Sequence, residues 1–255
     1  MIAMTGAPVH LWVLTLAGMI GIPGLTSFVL YQGAKLAGLG HRRAVGVGVV
    51  SAVLLGGWFT ISGVIAAHGG YLAELGRRPP GLPIAVVATL VVLLAATWIP
   101  SVARALAAPG MLSRLELPHT FRVVGVAFLI TMALGHLPAL FALPAGLGDI
   151  ATGIAAPFVA RRIAKGTGRR IAVWFNVLGI VDLVTALTLG TLTGFGILNV
   201  TPSSRAITEL PLALIPTAAV PLLLTLHITS LRRLAATART QNNATGNVGA
   251  RLSHH

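Results

Sequence analysis

The chain has 255 residues, 55% of them hydrophobic and 9% charged, with a mean hydropathy of +0.89. Soluble domains carry about a quarter charged residues, so a water-soluble globule is excluded. The net charge of +13 does not point to nucleic acid either, because the charges fall between long apolar runs instead of forming a patch on a fold. The absence of cysteine excludes disulfides, thiolate metal sites and thiol nucleophiles together.

An apolar bilayer core of ~30 Å needs about 20 helical residues. Seven runs meet that length, near residues 9–31, 44–67, 82–103, 122–142, 144–161, 171–193 and 210–231. The sequence therefore predicts an all-α, polytopic membrane bundle of seven transmembrane helices over residues 1–236, followed by a polar, disordered tail over 237–255. No basic residue precedes the first run, which reads as a true span and not as a cleaved signal peptide. Its Gly18, Gly21, Pro23 and Gly24 permit bending.

Residues 103–120 place Leu106, Met111, Leu112, Leu115 and Leu117 among Arg104, Arg114 and Glu116, the pattern of a short helix lying in the cytoplasmic interface. Spans four and five read as a hairpin around Leu143, Pro144, Ala145 and Gly146, with Pro144 in the first turn of the second arm. The loop 195–209, with Phe195, Ile197, Leu198 and Val200, is expected to fold over the bundle mouth. Span seven carries Pro211, Pro216 and Pro221, which free carbonyls and allow a hinge. The terminal His254-His255 reads as a purification-tag remnant.

Counting Lys and Arg in alternate connections gives fifteen on one side, including Arg122, and three on the other, Arg77, Arg78 and Arg205. By the positive-inside rule this puts the N-terminus outside and the C-terminus in the cytoplasm, so the bacterial cytoplasmic membrane is the expected location. An internal 3+1+3 repeat follows if residues 82–89 of span three correspond to residues 210–217 of span seven.

Ionisable groups inside apolar spans are costly and so are functional candidates. Asp149, His136 and Asp182 are expected to meet in one polar cavity, His136 and Asp149 at a similar depth in the outer half. Thr152 on the Asp149 face and Thr185 near Asp182 accompany them. In span six, Asn176, Gly179, Asp182 and Thr185 recur every third residue, a row that slides by about 60° per step on an α-helix. A second level in the inner half pairs Asn176 with His227.

The function expected from this constellation is transport of a small solute or ion, coupled to protons through the carboxylates, without catalysis and without a cofactor. The alternatives are a redox protein holding haem through His68 with His136 and His119 with His227, and a metal-dependent hydrolase using His10, His68, His136 and Asp149. Lys35 and Lys165 lie in connections, so no span offers a Schiff-base lysine for retinal. The partners expected are the lipid bilayer and the transported substrate; self-association is compatible with the sequence, and nucleic acid is not expected.

Overall fold

The computed structural model describes residues 7–72 and 80–252, with side chains described through residue 239. Arg77, Arg78 and the His254-His255 pair lie outside the described residues. Among the described residues all regular structure is helical. In chain order the helices are α1 (Val9–Leu36), α2 (His41–Ala67), α3 (Gly81–Ala96), α4 (Pro100–Ala107), α5 (Met111–Leu115), α6 (Val126–Ala133), α7 (Ala139–Ala164), α8 (Arg169–Gly194) and α9 (Val220–Leu252). A 3₁₀ segment, Leu117–Gly125, joins α5 to α6; another, Ser204–Thr208, follows α8; and a π-helical turn, Ile215–Ala219, leads into α9.

Among the described residues six helices are long and apolar enough to cross a membrane: Val9–Leu36, His41–Ala67, Met111–Ala133, Ala139–Ala164, Arg169–Gly194 and Ile215–Arg239. The bent pair α3 and α4 makes a seventh if counted as one span. The outward faces carry Val53, Leu54, Ile61, Val91, Leu147, Phe158, Leu178 and Val181, all exposed. Apolar surface on that scale is stable in lipid and not in water. The protein is a multi-pass helical membrane protein.

The last span lies at the centre. In its apolar window 83% of the residues are buried, against 17% for His41–Ala67 at the periphery. Helices α1, α3, α5 and α8 pack around it. With no hydrophobic drive between helices in lipid, the central position selects for close packing, and small side chains supply it here, with Ala213, Thr217, Ala218 and Ala219 all buried.

Three expectations are corrected. Run 82–103 is not a straight helix: the axis turns by 78° between α3 and α4. Pro100 is the first residue of α4 and holds Ile99 in an extended conformation with ψ 127, which ends α3. Residues 111–120 do not lie in the interface. Met111, Leu115, Glu116 and His119 are wholly buried, and α5 opens the Met111–Ala133 span.

The turn between the fourth and fifth apolar runs lies at residues 134–138, not 143–146. Gly135, with φ 79, lets its N–H reach the Met132 carbonyl (2.8 Å) while the His136 N–H reaches Thr131 (3.0 Å), the paired bonds of a Schellman stop. Pro138 then caps α7 in an extended conformation. Pro144 and Pro157 are inside α7, not at its start. In the loop after α8, Ser204, Ala206, Ile207 and Thr208 are the buried part, Ser204 hydrogen-bonding Thr193 at 2.6 Å, while Ile197 and Leu198 stay exposed.

Candidate functional site

The 3₁₀ segment places the key residues. With three residues per turn, side chains at i and i+3 stack in one row, so Glu116, which caps the segment, His119, Arg122 and Gly125 share one face. An α-helix would spread the same four residues around its axis. A nine-residue 3₁₀ run is long for this geometry, and the row it creates is turned inward: Glu116, His119 and Arg122 are buried.

Arg122 is the middle residue of the span Met111–Ala133, and its guanidinium reaches three helices. Nε donates to Asp149 Oδ1 of α7 at 2.7 Å, Nη2 donates to Asp182 Oδ2 of α8, and Nη1 donates to His227 Nε2 of α9 at 3.2 Å. His227 is the middle residue of Ile215–Arg239, and Asp149 and Asp182 fall near the centres of their spans. The charges thus meet near the middle of four candidate spans.

Asn176 extends the network toward the start of α8. Its amide group donates to the Ala172 carbonyl (2.8 Å) and to Glu116 Oε1 (2.9 Å), two pure acceptors that fix which end of the amide is nitrogen. The amide oxygen therefore accepts from His227 Nδ1 at 2.8 Å, which leaves the lone pair of His227 on Nε2, facing Arg122. A continuous path runs from Glu116 through Asn176, His227 and Arg122 to Asp149 and Asp182. His119 stacks on His227, ring centroids 3.8 Å apart, and takes the edge of Phe175 at 5.7 Å.

Glycines let the helices approach this closely. A Cβ at Gly179 would overlap the His227 ring, and one at Gly148 would overlap the Asp182 carboxylate.

The outer and inner levels expected from sequence are one network. Asp149, Asp182, Asn176 and His227 all belong to it, joined by Arg122, which sequence reasoning assigned to a cytoplasmic connection. Asp149 stands ten residues into α7, ~15 Å along its axis, deeper than expected because α7 begins at Ala139. The sequence likewise puts Glu116 and His119 at the interface, and their third-residue spacing with Arg122 is the feature of the sequence that marks them.

His136 is not brought to Asp149. It is exposed in the turn that ends α6, and its imidazole has no contact with the network. Thr152 is half-buried but joins no hydrogen bond of the site, and Thr185 is exposed. His136→Ala is therefore expected to change stability by no more than ~0.5 kcal/mol, as for substitutions at exposed positions, checked by thermal unfolding in detergent.

The haem arrangement does not fit. His10, His68 and His136 are exposed, and His68 Nδ1 is occupied by the Val64 carbonyl at 2.8 Å. His119 and His227 are stacked face to face, whereas axial ligands point at one another across an iron with a porphyrin between them. The set His10, His68, His136 and Asp149 is likewise not assembled, because the three histidines are exposed and Asp149 is buried against Arg122.

No curated protein and no solved structure matches the chain. The family described as Domain of unknown function (DUF8737) matches residues 79–235, from the start of α3 through the buried part of α9. That stretch is more than half of the chain and holds every residue of the polar network, and the protein belongs to this family.

Proposed function

We propose that the protein is a small-solute or ion transporter of the bacterial cytoplasmic membrane, coupled to protons through Asp149 and Asp182. One observation carries this reading: three carboxylates share one guanidinium inside the spans, Asp149 and Asp182 bound to Arg122 directly and Glu116 linked to it through Asn176 and His227. Fully ionised, the cluster has two uncompensated negative charges. Buried excess charge is costly, so the site favours binding protons or cations, and a group that takes them up and releases them across a bilayer is what a coupled carrier needs.

Arg122 is the switch in this scheme. It holds Asp149 and Asp182 at once, and loss of either contact frees a carboxylate to accept a proton. His227 accepts the third hydrogen bond of the guanidinium, so its imidazole senses any movement of Arg122. The prolines of the last span, Pro211, Pro216 and Pro221, and the π-turn Ile215–Ala219 give the central helix a place to bend.

In this reading the chain crosses seven times, N-terminus outside, with α4 turned along the cytoplasmic face. Moving Arg122 into a span changes the charge count from fifteen to fourteen against three, which preserves the direction. The 3+1+3 correspondence of 82–89 with 210–217 belongs to the same reading, α3 packing directly against α9.

The test is proton flux into liposomes containing the purified protein and a trapped pH dye. Under an imposed gradient the wild type should exceed empty liposomes, Asp149→Asn should fall to the empty-liposome rate, and Arg205→Gln, at an exposed ion pair with Glu209, should match the wild type. A wild type indistinguishable from empty liposomes with every gradient and candidate solute supplied would end the reading.

A further inference from the structure

His119 is the one imidazole of the network that the hydrogen bonds described above do not use. Its ring is fully buried, yet among the described residues neither nitrogen has a hydrogen-bond partner. A neutral imidazole carries both a donor and an acceptor, so an orphan of this kind at a packed centre needs a reason. Beside it, Glu116 Oε2 and the adjoining Ser230 hydroxyl make no hydrogen bond of ordinary geometry.

We propose that Glu116, His119 and His227 bind a divalent transition-metal cation, the cargo of the carrier. One ligand atom from each of the three lies within 4.8 Å of the others. Ligand atoms on one tetrahedral ion at about 2.1 Å are about 3.4 Å apart, so the site closes when the His119 and His227 rings, stacked at 3.8 Å, tilt their nitrogens toward a common point.

The surrounding bonds match what such ligands require. A metal-binding histidine commonly donates its other ring N–H to a fixed acceptor. His227 does so through Nδ1 to Asn176 Oδ1, leaving Nε2, which accepts from Arg122 at 3.2 Å, to turn to an ion. The same Asn176 amide holds Glu116 Oε1 and orients that carboxylate. Two imidazoles and a carboxylate select Zn²⁺, Co²⁺ or Ni²⁺ over Mg²⁺ or Ca²⁺, which prefer all-oxygen shells, and three protein ligands leave a coordination position open. A charge of +2 cancels the excess of the three carboxylates over Arg122, which offsets the repulsion between the ion and the guanidinium.

Binding is tested without reference to transport; only the cargo role rests on the carrier reading. Co²⁺ is titrated into the full chain in detergent, carrying His254→Ala and His255→Ala so that the terminal pair contributes nothing. The expected result is a visible ligand-field band saturating at one Co²⁺ per chain and displaced by Zn²⁺, with Zn²⁺ raising the unfolding midpoint. Asn176→Ala should weaken Co²⁺ binding about 10- to 100-fold.

His119→Phe keeps the ring stacking on His227 and Phe175 and removes the orphan nitrogens. It should fold with a midpoint at or above that of the parent while losing both the band and the Zn²⁺ shift. No saturable band in the parent, or a band and shift unchanged in His119→Phe, overturns the site. In liposomes, Zn²⁺ entry reported by a trapped indicator supports the cargo role, and proton flux without Zn²⁺ entry overturns it. Intact Co²⁺ binding with neither flux identifies failure of the carrier reading instead.

Discussion

Arg122→Met should be the most damaging single substitution in the protein, lowering stability by about 3–5 kcal/mol, the usual cost of removing one partner from a buried ion pair. Arg122 is 1% exposed, and its loss leaves Asp149, Asp182 and His227 without the group to which all three are bound. The neighbouring polar side chains Glu116, Asn176 and Ser230 carry no positive charge to replace it. Arg122→Lys should fall between wild type and Arg122→Met, because an ammonium is a point donor and does not span two carboxylates in the plane of a fork.

A triple variant separates charge from shape. Arg122→Met with Asp149→Asn and Asp182→Asn removes the ions together, and replacing a whole buried ionic group is often close to neutral. It should recover most of the lost midpoint in detergent unfolding and show no proton flux. Recovery of flux along with stability would mean that the ion cluster is architecture and that protons pass elsewhere.

The membrane class and most spans were legible in the sequence because they depend on long runs of apolar residues, a one-dimensional property. The site was legible only where an ionisable residue stood alone in such a run, as Asp149, Asp182 and His227 do. Arg122 was not, because it stands at the edge of the uninterrupted apolar run and its charge resembles those of the neighbouring connection. Only the 3₁₀ backbone, which carries Met111–Ala133 as one span, draws it inside.

The turn was misplaced for a related reason. Pro144 suggested a helix start, but the stop is made by Gly135, whose positive φ permits two capping bonds, followed by Pro138. Starting the following span at residue 144 instead of Ala139, a five-residue difference, moves Asp149 toward the surface and draws His136 into the site. The bend at Ile99 and Pro100 is the same kind of event, a backbone constraint inside a run whose hydropathy is continuous.

Asn176→Leu carries the second large effect, about 2–6 kcal/mol, because the substitution keeps volume but removes both ends of the amide. Glu116 Oε1 and His227 Nδ1 would each lose a partner while fully enclosed, at about 1–3 kcal/mol per orphaned polar group. The Ala172 carbonyl keeps its helical bond and adds little. Asn176→Asp tests the sign of the local field: it preserves the acceptor toward His227 but sets a second carboxylate against Glu116, so at neutral pH it should be less stable than wild type, and acidification, which protonates one of the two, should narrow the gap. A pH-independent difference between Asn176→Asp and wild type, measured by unfolding in detergent from pH 5 to 8, would show that Glu116 is already neutral when it accepts from Asn176, leaving Asp149 and Asp182 as the only charges opposed to Arg122.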